Sequence, residues 1–369
     1  MASTALPPPT AGAPQTQDEP ESIHQKGRAQ VPWPKEIWDA IDMHVHDEIM
    51  RTSVFAKFLP HCKVHPKTTS VPADVISFQQ LDQQPGENTV TALIDEGATV
   101  RINETWAEFA LTPQQVHETA EAHEFAHTVA VSLATRTANI LAQAHDYICA
   151  QGVNAYSTPF FERFINYRSG QFPTDTGLLS LPLSAATAAL QGAPSASTSI
   201  PLPLTGTGST PPQVIQVPQA SQTVPPIPEG PGVLYGTETF QALAQGYSFL
   251  QQLGHYGPYA LVLHTIPYAD AYAPVIGLVI TADRIKPIVD AGFYGTGTLL
   301  SNQLGSPPEP AFTGVLVALD GDSMDLVVGH HAYATFMQRD PNDNWRFRVL
   351  QRFALRVKDS TAIIRLEFQ

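Results

Sequence analysis

The apolar residues of the chain recur with helical spacing near its start and with strand-like spacing at its end. Between positions 35 and 58 an apolar side chain returns every four residues, which predicts an amphipathic helix that stops before Pro60. The recurring residues are Ile37, Ile41, Val45 and Ile49, with Met50, Val54 and Phe58 in a neighbouring stripe. Positions 346–349 and 353–359 instead alternate polar and apolar side chains, which is typical of strands. The pattern therefore predicts a mixed α+β fold.

The longest helix that the sequence predicts begins after Thr112, a residue type that caps helix N-termini. Pro113 suits the first helical position, and Gln115 completes a capping box. No glycine or proline follows until Gly152. We therefore expect one spine helix of about 55–60 Å, at about 1.5 Å per residue. A second helical pattern covers residues 237–253.

Residues 64–108 contain short strand-like pieces separated by turn-forming residues. The runs at 72–74, 84–88 and 95–97 combine Pro, Gly, Asp and Asn, which are typical of turns. The stretch therefore predicts an extended, partly exposed hairpin.

Composition divides the chain into four parts. Residues 1–32 are rich in Pro, Ala, Thr and Gln and bury too little apolar surface to offset their ordering entropy, so they predict a flexible arm. Residues 33–168 hold the first helix, the hairpin and the spine helix. Residues 169–232 are almost uncharged and rich in Pro, Ser and Thr, which indicates an irregular insertion. Residues 233–369 alternate helix and strand and end in strands.

The charge of the chain excludes some classes of partner. It has 20 Lys and Arg against 34 Asp and Glu, a formal net charge of −14, which argues against binding to nucleic acid or to an anionic membrane. No run of 18 apolar residues and no basic-then-apolar leader occurs, so we expect a soluble cytoplasmic protein. Its two cysteines, Cys62 and Cys149, are expected to be reduced thiols.

One motif points to a different function. His123-Glu124-x-x-His127 matches H-E-x-x-H, which on a helix places two imidazoles and a general-base Glu beside a zinc ion. A zinc protease needs a third ligand, and on an unbroken helix His145 and Asp146 would lie about 27 Å away. A metalloprotease and a solvated His/Glu-rich helix face are the two hypotheses for this motif.

The remaining polar clusters have simpler interpretations. Asp320-Gly321-Asp322 predicts a tight turn between strands, and His330-His331 an isolated pair in a surface turn. The C-terminal strands hold six basic residues, Arg346, Arg348, Arg352, Arg356, Lys358 and Arg365. Their alternation with apolar residues predicts one polar sheet face, paired with acidic neighbours across a subunit interface. The sequence contains no Gly-rich phosphate loop and no nucleophile elbow.

Five stretches of the chain share their order and spacing with a known family. They are residues 38–42, the helix end at 49–52, residues 98–101 leading to 108–111, the end of the spine helix at 147–152, and the stretch from Tyr256 to the C-terminus. This combination resembles the shell proteins of encapsulin nanocompartments, the linocin-like encapsulin family. The resemblance implies the tailed-phage major capsid fold: a peripheral domain with a spine helix, an extended hairpin loop, and an axial domain.

The resemblance also implies a function in assembly. It implies a protein without catalysis of its own that self-assembles into an icosahedral cage around a cargo enzyme. The implied partners are further copies of this chain and a cargo protein with a C-terminal targeting peptide. A viral or prophage major capsid protein of the same fold is the alternative.

Two sets of site residues follow from the resemblance. An apolar groove for the targeting peptide falls on Val54, Phe55 and Phe58, which could equally pack the core. A five-fold pore loop, apolar and uncharged, falls on Gly277, Leu278, Val279, Ile280 and Thr281.

The resemblance raises the question of a flavin cofactor. Some family members stack flavin on a Trp just after the motif that residues 109–111 resemble. This chain has Gln114 at that place. Trp106 precedes the motif, where packing within a strand is expected. We therefore expect no flavin and no other cofactor.

Overall fold

The computed structural model combines two sheets with the helices that pack on them. It describes residues 25–80, 90–95, 97–122, 128–168, 176–181, 213–218, 235–273, 280–299 and 312–368. Within these residues the chain forms two five-stranded sheets and two short two-stranded ladders. The mixture of helices and sheets confirms the predicted α+β class.

Helices and strands are interspersed along the chain. The helices are α1 (Gln25–Arg28), α2 (Lys35–Thr52), α3 (Phe55–Phe58), α4 (Pro113–Glu121), α5 (Val129–Gln151), α6 (Pro159–Phe164), α7 (Thr237–Gln252), α8 (Thr265–Ala271) and α9 (Thr281–Ile285). The strands are β1 (His61–Lys63), β2 (Ser70–Pro72), β3 (Val75–Gln80), β4 (Val90–Asp95), β5 (Thr99–Arg101), β6 (Asn103–Leu111), β7 (Asn166–Arg168), β8 (Gln213–Val217), β9 (Tyr259–His264), β10 (Gly292–Thr296), β11 (Phe312–Ala318), β12 (Met324–Arg339), β13 (Trp345–Val357) and β14 (Ile363–Phe368). Of the helices in the described stretches, none has the length and apolar character needed to span a lipid bilayer.

The first sheet has the strand order β1-β12-β13-β6-β7 and is built around the long antiparallel pair β12 and β13. Along β6, Phe109 lies opposite Phe347 and Glu108 opposite Arg348. Helices α2 and α5 pack on each other and on this sheet. Phe347 is buried and its neighbour Arg346 is exposed, so the period-two pattern follows the two faces of the sheet.

The second sheet has the order β10-β9-β11-β14-β8. All residues of β9 are buried, as expected for a central strand covered on both faces. Helix α7 packs on β8, β11 and β14, and its bounds confirm the helix predicted at 237–253.

The core beneath α2 centres on the ring of Phe347, which is fully buried. Its ring stacks on Trp33 at a centroid distance of 5.1 Å and on Phe109 at 5.2 Å. Trp38 lies 6.2 Å and Phe336 5.6 Å away. These aromatic contacts join β6, β12 and β13 to the start of α2 and to Trp33, two residues before it.

Both long helices predicted from the sequence are interrupted. The helix predicted over 35–58 stops at Ser53, where ψ is 128°. The unbroken spine helix is also wrong, because α4 ends before Ala122 (ψ 133°) and α5 begins after Thr128. Neither break needs Gly or Pro. The side-chain oxygens of Ser53 and Thr128 each accept a hydrogen bond from the backbone N–H three residues later in the chain. A helix can therefore restart at both places.

The low-charge insertion contributes two ordered pieces, where the sequence predicted irregular structure. Residues 213–217 form β8, which pairs in parallel with β14 at the edge of the second sheet. In 176–181, Leu178 is buried and its N–H donates to the carbonyl of Cys149 at the end of α5. The rest of residues 169–232, apart from position 218, lies outside the described residues.

The predicted N-terminal arm, residues 1–32, ends in ordered structure, so the predicted boundary is too late; residues 1–24 lie outside the described residues. Helix α1 lies on β12. Arg28 Nε and Nη2 donate to the carbonyl of Ala334 at 2.9 and 2.6 Å, and the N–H of Ala334 donates to Asp42 at 3.0 Å. Arg28 and Asp42 are themselves paired at 2.6 Å. Together they bind the N–H and the C=O of Ala334 in β12, as a neighbouring strand would.

Candidate assembly site

The extended hairpin predicted within residues 64–108 is present between β1 and β6. Its base is the β2–β5 ladder, and farther out β3 pairs with β4. Ile94 of the outer ladder is 62% exposed. The N–H of Ile76 donates to the carbonyl of Lys358 at 2.8 Å, which ties β3 to the end of β13. The outer ladder is a two-stranded ribbon, a structure of marginal stability when it stands alone.

Five charged side chains, which we call the base cluster, join the foot of the hairpin to the first sheet. They are Arg356, Lys358, Asp325, Asp322 and Asp74. Arg356 Nε and Nη2 donate to the two oxygens of Asp325 at 3.0 and 2.5 Å, and Arg356 Nη1 donates to Asp74. Lys358 pairs with Asp322 and, at 3.0 Å, with Asp325. The hydrogen bonds to Asp325 raise the pKa of Arg356 above its usual value.

A buried carboxylate, Asp146 of α5, holds the break between α2 and α3. It accepts hydrogen bonds from Ser53 Oγ at 2.7 Å, Val54 N–H at 2.9 Å and Phe55 N–H at 3.2 Å. Since the Ser53 proton goes to Asp146, the His145 Nδ1–H donates to Ser53 Oγ at 2.8 Å. Ser53, His145 and Asp146 are all buried, and the imidazole is a donor toward the hydroxyl. The group therefore stabilises the turn between α2 and α3 and does not form a catalytic triad.

The three predicted groove residues, Val54, Phe55 and Phe58, directly follow this break. They are 8%, 0% and 9% exposed. Phe55 packs on Phe58 with ring centroids 5.7 Å apart, and Phe58 stacks on Tyr294 at 5.6 Å. In this conformation Phe55 can only support a groove from below, and a peptide could contact Val54 and Phe58 only at small exposed areas. The groove stays a prediction.

The predicted pore loop, residues 277–281, is described only at its end; its first three residues lie outside the described residues. Ile280 is half-buried and precedes α9. Thr281 is buried, and its hydroxyl donates to the carbonyl of Gly236 at 3.3 Å. Thr281 therefore packs within the protomer, and the pore assignment of the loop stays a prediction.

The H-E-x-x-H motif at residues 123–127 lies outside the described residues. Both residues considered as a third zinc ligand, His145 and Asp146, are already bonded around Ser53. In the described stretches of chain, no three His, Cys, Asp or Glu side chains are grouped so as to hold a metal ion. Cys62 and Cys149 form no disulfide bond.

Basic side chains of the C-terminal strands find partners within their own chain. Arg346 faces Glu108 at 3.9 Å, and Arg365 faces Glu367 at 3.0 Å. Arg352 donates to the carbonyl of Thr68 at 2.8 Å. These neighbours lie in β6, in β14 and in the hairpin of the same chain, and the expected pairing across a subunit interface stays a prediction.

His330 and His331 lie within β12, where its register with β13 shifts, and not in the surface turn that the sequence predicted. The tight turn predicted at 320–322 is present. His331 contacts His46 of α2 edge-to-face, with ring centroids 5.3 Å apart. Partial burial lowers the pKa of both His331 and His61, because it disfavours the charged imidazolium. Neighbouring cationic groups lower both pKa values further.

A fall in pH is expected to reduce the stability that His61 and His331 contribute to the fold. The folded-state pKa values of His61 and His331 lie below the unfolded value of about 6.5, so the unfolded chain takes up protons first as the pH falls. Their contribution to stability is complete above about pH 6.5 and is lost below it. Both rings are substantially exposed, so the loss should stay under about 1 kcal/mol.

Thermal unfolding at about pH 7.5 and about pH 5.5 measures this effect. The double variant His61→Gln/His331→Gln should lose less stability between the two pH values than the wild type does. Equal losses would show that these two rings do not carry the pH dependence.

The residues that hold the hairpin and the first helix in place were not identified from the sequence. Asp146 entered only as a possible zinc ligand, and Asp74 only as part of a turn. Arg28 lay in a segment predicted to be flexible. One signal in the sequence could have indicated the change of chain direction at Asp74. Aspartate is one of the few residue types that adopt positive φ, and φ of Asp74 is 51°.

The two sheets, the interrupted spine helix and the extended hairpin are the parts of a capsid fold. A virus-like particle protein from Pyrococcus furiosus superimposes with a TM-score of 0.54, over 90% of this chain and 100% of that chain, at 15% identity. The capsid of Myoviridae phage XM1 does so with a TM-score of 0.52, over 86% and 92%, at 10% identity. The chain therefore has the tailed-phage capsid fold, as the sequence predicted.

Sequence similarity indicates which proteins of the capsid fold this chain resembles. The chain is 30% identical over 129 residues to the type 1 encapsulin shell protein EncA of Myxococcus xanthus (strain DK1622). The match covers 35% of this chain and 41% of that protein, so it spans less than half of the relative's length. No family model matches the chain. The predicted resemblance to encapsulin shell proteins is confirmed over the matched part.

Proposed function

We propose that this protein is the self-assembling shell protein of an encapsulin-type nanocompartment. The observation that carries the proposal is the capsid fold with its extended hairpin, joined to the sequence match with an encapsulin shell protein. The proposed work of the molecule is enclosure, and catalysis belongs to the enclosed cargo.

The hairpin gives the proposal a physical basis. The β3–β4 ribbon pairs only with itself in the described residues, apart from the Ile76 bond to Lys358, and it exposes Ile94. A ribbon of this kind gains stability when a neighbouring molecule covers it. Identical copies that each cover a neighbour's hairpin form heterologous contacts, and such contacts close into a shell when symmetry permits.

The proposed partners are further copies of this chain and a cargo protein with a C-terminal targeting peptide. We place the peptide beside α3, where Val54 and Phe58 retain some exposure above Phe55. The proposed location is the cytoplasm. The net charge of −14 favours a protein cargo over packaged nucleic acid, since enclosed phosphates would need positive charge to balance them.

Electron microscopy of the purified protein is the direct test. We expect closed hollow particles of uniform diameter. A well-folded lone species of 40.0 kDa, stable across a wide range of concentration and salt, would refute a shell function. Nucleic acid inside purified particles would favour a viral capsid instead.

Replacing residues 75–95 by a short Gly-Ser linker is expected to abolish particle formation while leaving a folded subunit. The linker removes the β3–β4 ribbon but keeps the β2–β5 ladder at its base. Size-exclusion chromatography and circular dichroism report assembly and fold separately. Normal particles from this variant would exclude the hairpin as an assembly element.

A further inference from the structure

At the foot of the hairpin, ionic contacts to a buried side chain meet a backbone conformation that few residue types adopt. Asp74 stands between β2 and β3 with φ of 51°. Its carboxylate pairs with Arg356, whose side chain is only 10% exposed. The chain therefore changes course at Asp74 and is bonded to the sheet at the same residue.

The contacts around Arg356 define a direction as well as an attachment. Its guanidinium binds Asp325 through Nε and Nη2, which fixes the plane of the group against β12. The remaining Nη1 then points to Asp74 and, at 3.3 Å, to the carbonyl of Pro72. A planar fork held on one side can present its third nitrogen in only one direction.

A backbone hydrogen bond completes the attachment. The N–H of Ile76 donates to the carbonyl of Lys358, and the N–H of Lys358 donates to the carbonyl of Ser323. Lys358 Nζ reaches Asp325, the same carboxylate that orients Arg356. Both the side chains and the backbone at the end of β13 thus hold the first residues of β3.

We propose that the base cluster is a clamp that fixes the direction in which the hairpin leaves the subunit, and that this direction selects the size of the shell. The size part rests on the proposed function, while the clamp itself does not. In a shell built from identical contacts, the angle between neighbours determines how many copies close. Because the hairpin reaches a neighbouring subunit, a small change of its direction at the foot changes that angle.

The charges of the cluster indicate which residue to change. It contains two cations and three carboxylates, a net charge of −1. Removing the charge of Asp74 leaves each remaining ion with an opposite partner, so the fold should survive. Removing Arg356 would leave Asp325 buried with Lys358 alone, a change that also threatens folding.

The test compares Asp74→Asn with Asp95→Asn. Asparagine tolerates positive φ, so Asp74→Asn removes the charge and keeps the backbone preference. Asp95 lies in the same hairpin, opposite Val75, and is exposed, so Asp95→Asn is a matched change of charge outside the clamp. Hydrogen exchange at the Ile76 amide measures attachment, and electron microscopy measures particle diameter.

In Asp74→Asn we expect exchange at Ile76 to be about tenfold faster, because the charge-assisted hydrogen bond from Arg356 becomes a weaker bond to a neutral amide oxygen that is partly open to solvent. We also expect a shifted or broadened diameter distribution. Asp95→Asn should match the wild type in both measurements.

Unchanged exchange in Asp74→Asn would overturn the clamp. Faster exchange with an unchanged diameter distribution would overturn the selection of shell size. If the wild type itself forms no closed particles, the proposed shell function fails, and exchange at Ile76 still decides whether the clamp exists.

Discussion

Phe347→Ala is expected to destabilise the subunit by about 3–5 kcal/mol, the range for removing a large buried aromatic side chain. Phe347 is fully buried and packs on Trp33, Phe109 and Phe336. Truncation leaves a cavity where the start of α2, β6 and β12 meet. Chemical or thermal unfolding at matched protein concentration measures the loss.

Phe164→Ala is the matched control, because Phe164 is 41% exposed. The same truncation there should cost about 1 kcal/mol or less. If the two variants unfold alike, the aromatic cluster around Phe347 is not the centre of this part of the core.

Asp146→Ala is expected to produce a loss of similar size, about 3–5 kcal/mol, because it leaves buried donors without an acceptor. The hydroxyl of Ser53 and the N–H groups of Val54 and Phe55 all depend on this carboxylate. The turn from α2 into α3 should loosen first. Hydrogen exchange at Val54 and Phe55 locates the effect, and unfolding measures its size.

Asp146→Asn should be milder, since the amide keeps one acceptor oxygen in place. Asp47→Ala changes an exposed carboxylate on α2 and should stay within about 0.5 kcal/mol of the wild type. A loss for Asp146→Ala no larger than that for Asp47→Ala would contradict the role assigned to this residue.

The sequence correctly predicted those elements whose conformation is determined by residues close together in the chain. The alternation along β13 arises because one face of the strand is covered by helices, and the turns at 72–74 and 95–97 bound the outer ladder of the hairpin. The capping box at Thr112 and Gln115 is present as predicted. In each case the residues that decide the conformation are neighbours in the chain.

The contacts that hold the candidate site escaped prediction because their partners are distant in sequence. Asp74 and Arg356 are 282 positions apart, and Ser53 and Asp146 are 93 apart. The break before α3 depends on that second pair, since the Asp146 carboxylate caps the new helix start. Only the folded chain brings such groups together, so no local pattern could identify them.

The bond pair that Arg28 and Asp42 make with Ala334 has a consequence for the solubility of the subunit. A foreign peptide that tried to align with this length of β12 would find the N–H and C=O of Ala334 already taken. Arg28 and Asp42 thus protect this length of β12 from unwanted strand addition, and a truncation that removed Arg28 would leave the carbonyl of Ala334 open to it.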